Sequence, residues 1–174
     1  MLKNKFIQKE FGGCLFYCLA NLFNEEEIIS LGRGKEGGYH MDARNIIEDR
    51  IKYHTLTAWN KRTLIEDPIE RTDIFDNLSN FDGYCVLLIT IESDTKGYFH
   101  QLLGFVDGQT GELIVLDPRQ LHSTTFKNPI DILKWRKVYE IEAITDKVKG
   151  SIMSFGKNYF SHLQVIDEEV EVID

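Results

Sequence analysis

Three apolar runs in the second half of the chain constrain its fold more than any other feature: YCVLLITI at 84–91, YFHQLLGFV at 98–106 and ELIVLD at 112–117. Each is short, rich in β-branched or aromatic residues and bounded by turn residues, which predicts strands. Asp107-Gly108-Gln109-Thr110-Gly111 has the composition of a tight hairpin turn, so the three are expected to be consecutive and antiparallel. The segment CLFYCLANLF at 14–23 is different in kind. It is apolar on almost every side, too long for a comfortable strand and rich in Leu and Ala, as a fully buried helix would be. Asn24 and the acidic residues 25–27 close that helix or start the next segment, and 31–38, LGRGKEGG, reads as loop. A second helix is expected from an Asp42 cap through about Ile51, a short strand around His54–Trp59, and a short helix near Arg71–Leu78 in an otherwise polar stretch. A helix at about Pro129–Trp135 and a strand at about Val138–Ile144 complete an order with helices first and strands later. That is the α+β pattern, here a buried N-terminal helix packed on an antiparallel sheet. The tail from Asp167 to Asp174 alternates acidic residues with Val and Ile, as a final strand or a frayed end would.

At 174 residues the chain is expected to form a single domain, and no repeat, low-complexity tract or linker divides it. Hydrophobic residues make up 43% and charged residues 28%, a balance that supports a packed core. The net charge of −8, with no long Lys/Arg run, gives no footprint for nucleic acid or an anionic membrane. No stretch is apolar for the ~18 residues a membrane span needs, and the first residues carry no secretory apolar core. The expectation is a cytoplasmic protein, or a virion-associated one if the source is a phage. Three cysteines, Cys14, Cys18 and Cys85, are too few and too odd in number for a disulfide framework.

A thiol in the first turn of a helix faces unpaired backbone amides and the positive end of the helix dipole, both of which favour thiolate. Gly12-Gly13 leaves that turn sterically open and permits backbone angles closed to other residues. Cys14 is therefore a candidate nucleophile if a base lies near; otherwise it is a small core residue. Of five histidines, His40, His54, His122 and His162 read as surface or satisfied side chains. His100 lies inside an apolar strand, on the face of Leu102, Gly104 and Val106 by alternation. If the turn pairs 102 with 115 and 104 with 113, His100 falls opposite Asp117, and the carboxylate can fix the tautomer and support an imidazolium. Gln8, six residues before Cys14, can bring a side-chain amide to an oxyanion if the chain folds back at Gly12-Gly13.

Gln8, Cys14, His100 and Asp117, in this order and spacing, resemble papain-like cysteine peptidases. The finer similarity is to the bacteriocin-leader, or double-glycine, peptidase domains carried by export ATPases. It rests on "QKEFGGCLFYCLA", "FHQLLGFVDGQTGELIVLDP" and the glycine-rich loop before "GGYHMDARNIIEDRI", and is strongest over 6–145, with 146–174 as a C-terminal extension. The resemblance implies a thiol hydrolase cleaving a peptide or related amide bond. Cys14 would be the nucleophile, His100 the base and then the acid, Asp117 its orienter, and Gln8 with the Cys14 amide the oxyanion hole. Cys18 matches the family's second cysteine and is read as packing, its alternative being a resolving thiol. No metal or other cofactor is implied, and the partner would be a peptide or protein substrate. Where the family has an acidic residue before the nucleophile this chain has Gly13, and with no membrane segment or ATPase a stand-alone enzyme is expected. Two other readings stand beside it: acyl transfer with the same triad, and a catalytically silent module with a structural or protein-binding role, for example in a phage particle or effector complex.

Overall fold

The computed structural model describes residues 2–10, 12–32, 51–55, 83–95, 97–146 and 161–163. Helix α1 spans Cys14–Phe23 and all of its residues but Phe23 are buried, as its unbroken apolar sequence requires. Asn24 ends it in the left-handed conformation at φ 57° and donates its backbone N–H to the Ala20 carbonyl. Asn tolerates that geometry better than most side chains, which is the physical reason the helix stops there. A one-turn helix, α2 (Glu27–Leu31), follows and packs on α1 through Ile28 and Ile29. It ends at Gly32, whose backbone lies so close to Phe16 that a Cβ there would come within 2.5 Å of the ring. No other residue fits that approach.

Six strands form one antiparallel sheet in the order β1, β6, β2, β3, β4, β5: β1 (Ile51–Thr55), β2 (Tyr84–Glu92), β3 (Phe99–Asp107), β4 (Leu113–Leu116), β5 (Thr124–Phe126) and β6 (Val138–Asp146). The central strands β2 and β3 each carry seven consecutive buried residues. Their near-continuous apolar sequences, rather than a strict alternation, follow from cover on both faces. Val86, Leu88, Leu103, Phe105, Ile114 and Leu116 face α1, α2 and Leu163. Leu87, Ile89, Leu102, Val106 and Val115 face a second core closed by Ile132, Val138 and Ile141. Ile132 opens α3 (Ile132–Trp135), which continues a 3-10 turn at Pro129–Asp131 capped by the Asn128 side chain.

The expected α+β order, the helix at 14–23, the three central strands, the 129–135 helix and the 138–144 strand are all present. Two expectations are corrected. Ile51, taken as the end of a helix, is instead the first described residue of β1. Of the strand expected around 54–59, residues 54 and 55 lie in β1 and the rest lies outside the described residues. Leu31, taken as loop, closes α2. Strand β5 was unforeseen, because TTF at 124–126 is short and largely exposed and gains its identity only by pairing with β4. The rest of the helix expected from Asp42, the helix at 71–78 and the tail at 167–174 lie outside the described residues.

The hairpin register also differs from expectation. Gly104 pairs with Val115 and Val106 with Leu113, a shift of two residues. The reason is the turn: Asp107 N–H donates to Glu112 O at 2.9 Å and Gly111 N–H to Asp107 O at 2.7 Å, so residues 108–111 all lie in the connection. Gly111 takes φ 76°, the left-handed position such a loop requires. A shift of two leaves every side chain on its expected face, because the period along a strand is two.

Candidate active site

Gly12 and Gly13 adopt φ 85° and 75°, turning the chain into α1 so that Cys14 is the first helical residue. Gly13 offers no side-chain cap, so the amides of the first turn point outward from the thiol's own end of the helix. Tyr17 N–H closes the first turn on Gly13 O at 3.1 Å. The thiol itself is nearly closed off, with Cys14 6% exposed.

His100 is the second residue of β3, at the end of the sheet where β2 and β3 stop pairing. Its Nε2 lies 2.7 Å from Asp117 Oδ1. The same carboxylate oxygen accepts the Arg119 N–H at 2.9 Å, a local turn that aims the carboxylate back toward the imidazole. Burial would push Asp117 up, but its hydrogen bond and charge interaction with His100, the Arg119 N–H and the Arg119 charge hold it below the usual carboxylate range. An ionised carboxylate can only accept, so Nε2 is the nitrogen that carries the proton and Nδ1 remains for another partner. Cys14 lies near enough to the ring to act on it, by hydrogen bonding and by charge. Burial alone would lower the imidazole's pKa; Asp117 and Cys14 together outweigh it and raise the value to about 9. Cys18, one turn along α1, donates its thiol to the Gln101 carbonyl at 3.4 Å. Burial, with added repulsion from Cys14 and Asp117, raises it well above an ordinary thiol.

Gln8 is 4% exposed and its amide nitrogen donates to Glu10 O at 3.1 Å and Gly12 O at 2.7 Å. Two facing carbonyls identify that end of the side chain as nitrogen, and both of its hydrogens are engaged. The other end, Oε1, is buried without a hydrogen-bond partner. The amide thus ties down the loop that leads to the thiol. Gln8 N–H in turn donates to Pro118 O at 2.7 Å, beside Asp117.

Sequence reading missed the polar side chains that hold these groups in place. Asn4 donates to the carbonyls of Asp117 and Gln120 at 2.7 and 2.8 Å. Asn21, fully buried on α1, accepts the N–H groups of Lys5 and Phe6 at 2.8 and 2.9 Å and donates to Phe6 O and Tyr17 O, both at 2.9 Å. A second group, Gln101, Thr90 and Glu140, forms a buried row across β3, β2 and β6 beside His100. An Asn in the middle of an otherwise apolar helix was the available signal for Asn21, since such a residue must find four partners or cost stability. Asn4 offered none. Of the histidines set aside, His162 is half-buried against the Asn21 carbonyl at 2.6 Å and His122 is exposed.

A cavity of about 540 Å³ opens among Phe6, Ile7, Tyr17, Glu26, Glu27, Ile29 and Ser30, and none of Cys14, His100 or Asp117 lines it. Among the described residues no group of three His, Cys, Asp or Glu side chains could hold a metal, and no helix is long and apolar enough to cross a membrane. Comparison of the chain with protein-family models, curated proteins and solved structures found no match.

Proposed function

We propose that this protein is a thiol hydrolase of papain-like type that cleaves a peptide or related amide bond. The observation that carries the reading is the ordered set Asp117 Oδ1, His100 Nε2 at 2.7 Å, and Cys14 as the further neighbour of the same ring. A nucleophile, a base and an orienting group in that relation are what acyl transfer through a thioester needs. His100 takes the Cys14 proton, and the thiolate attacks the carbonyl carbon of the substrate. The oxyanion forms beside the Cys14 N–H and the open first turn of α1, where unpaired amides and the helix dipole stabilise it. The side-chain donor of Gln8 joins them by exchanging one of its loop carbonyls for the oxyanion. The imidazolium then protonates the leaving amine, and water, deprotonated by the same imidazole, releases the acid and restores the thiol. With its pKa raised to about 9, the ring holds the proton it has taken from Cys14 and so serves well as that acid.

The engagement of both Gln8 amide hydrogens within the loop favours a second reading, a binding module that keeps the constellation without turnover. One experiment separates them. Iodoacetamide with peptide mapping by mass spectrometry should modify Cys14 far ahead of Cys18 and Cys85, and His100→Ala should slow Cys14 at pH 7 by about 10². Equal labelling of the three thiols defeats the hydrolase. Selective labelling without cleavage of any member of a fluorogenic peptide library supports the silent module.

A further inference from the structure

We propose that Asn4 is a positioning residue which, together with Asn21, sets the distance between the thiol and the imidazole–carboxylate pair. The inference rests on the thiol–imidazole reading above and adds to it a part that none of the four site residues supplies. Cys14 belongs to α1, whereas Asp117 belongs to the turn after β4, and His100 must match both. Packing of α1 on the sheet is mainly apolar, with one long thiol bond from Cys18 to the Gln101 carbonyl at 3.4 Å. The shorter directional bonds come from residues 4–8.

The Asn4 amide clamps the turn at both ends, on Asp117 O and Gln120 O, and Asn4 N–H adds a third bond to Leu121 O at 2.9 Å. Gln120 N–H closes the same turn on Asp117 O at 2.9 Å, and within it Arg119 N–H aims the carboxylate. The very next residues, Lys5 and Phe6, are pinned by Asn21 to the third turn of α1. Asn21 stands seven residues after Cys14, two helical turns along the same face. Three consecutive residues therefore join the helix that bears the thiol to the turn that bears the carboxylate. Both asparagines are buried, Asn4 3% and Asn21 0% exposed, and their donors are fully used, so neither can shift without leaving its own buried amide hydrogens unpaired. The titratable groups that act on the imidazole are Cys14 on α1 and Asp117 on the turn, and Arg119 acts in turn on Asp117.

A positioning residue acts through His100, and a merely structural one does not, so the test is a double-substitution cycle read by the rate of Cys14 alkylation in folded protein at pH 7. Asn4→Ala should slow alkylation by about tenfold when His100 is present and by less than about twofold in the His100→Ala background. Circular dichroism and a thermal melt establish folding, and if Asn4→Ala does not fold, Asn4→Ser, which retains one donor, is read in the same cycle. Equal slowing in both backgrounds, or an unchanged rate in the folded variant, overturns the proposal. If His100→Ala alone leaves alkylation unchanged, the thiol–imidazole reading itself fails, an outcome distinct from the failure of the Asn4 assignment.

Discussion

The middle of the sheet and its Cys14 end use the same small thiol side chain in opposite ways. Cys85 sits in β2 among Leu87, Leu102, Val106 and Ala143, fully buried, and burial alone pushes its pKa up to about 12. Cys14 is almost as buried, yet it opens a helix and lies beside an imidazole that a carboxylate orients. Burial is nearly the same in the two places; what differs is the set of partners. Around Cys85 any apolar side chain of similar volume would do. Around Cys14 each group is chosen by the next, from Asn21 through Asn4 and Asp117 to His100, and the loss of one strands its neighbours.

The largest expected effect tests whether the two regions can be separated. Phe105, fully buried between α1 and the sheet, is a core residue with no part in the polar set. Phe105→Ala should cost about 3–5 kcal/mol of stability in urea unfolding while the folded fraction keeps its preference for labelling Cys14 over Cys85. A parallel loss of that preference would break the comparison.

A smaller effect comes from pH. His100 is raised from 6.5 to about 9 on folding, so its contribution is complete below pH 6.5 and lost as pH rises through 9. Asp117 is lowered from 3.8, so its contribution is complete above that pH and lost as pH falls through its folded value. The pair is therefore most stabilising between about pH 4 and 6.5. The stability difference between the native chain and His100→Ala should shrink by about 1–3 kcal/mol from pH 6 to pH 9.5 in urea unfolding. Cys85 and Cys18 also weaken the fold at high pH, but they are present in both proteins and cancel. A difference that grows with pH would reverse the assigned roles.

The smallest effect is at the entry to α1. Gly13→Ala places a Cβ at φ 75° and should cost about 1–2 kcal/mol, read as a lowered melting temperature. Because among the described residues only the Gly32 carbonyl approaches that Cβ, its oxygen at 3.4 Å, the cost is conformational rather than a clash. It sharpens the contrast, since Gly104→Ala within β3 would be felt through packing instead, its Cβ meeting Ile89 at 3.0 Å.

The elements legible in the sequence were those whose signal is local. The buried helix, the three apolar strands and the glycine-rich turn each announce themselves within ten residues, and the helix stop at Asn24 has a chemical cause. The pairing of β5 and the place of β1 beside β6 depend on partners far along the chain, which no local pattern encodes. The candidate site was legible where a residue type conflicts with its surroundings, as with His100 in an apolar strand. Gln8 was legible as a residue but not in its present bonds, because its two acceptors are backbone carbonyls, which every sequence has. Asn4 was hidden for the same reason.

The four-residue connection between β3 and β4 has a consequence for how the chain could be altered. Removing two of its four residues leaves a two-residue loop that can still close the Asp107–Glu112 pair, so Asp117 keeps its place beside His100. Turn-length variants at 108–111 that keep this closing pair should therefore leave the imidazole–carboxylate contact in place, whereas a slip of β4 by a single residue would send the carboxylate to the opposite side of the sheet and abolish it.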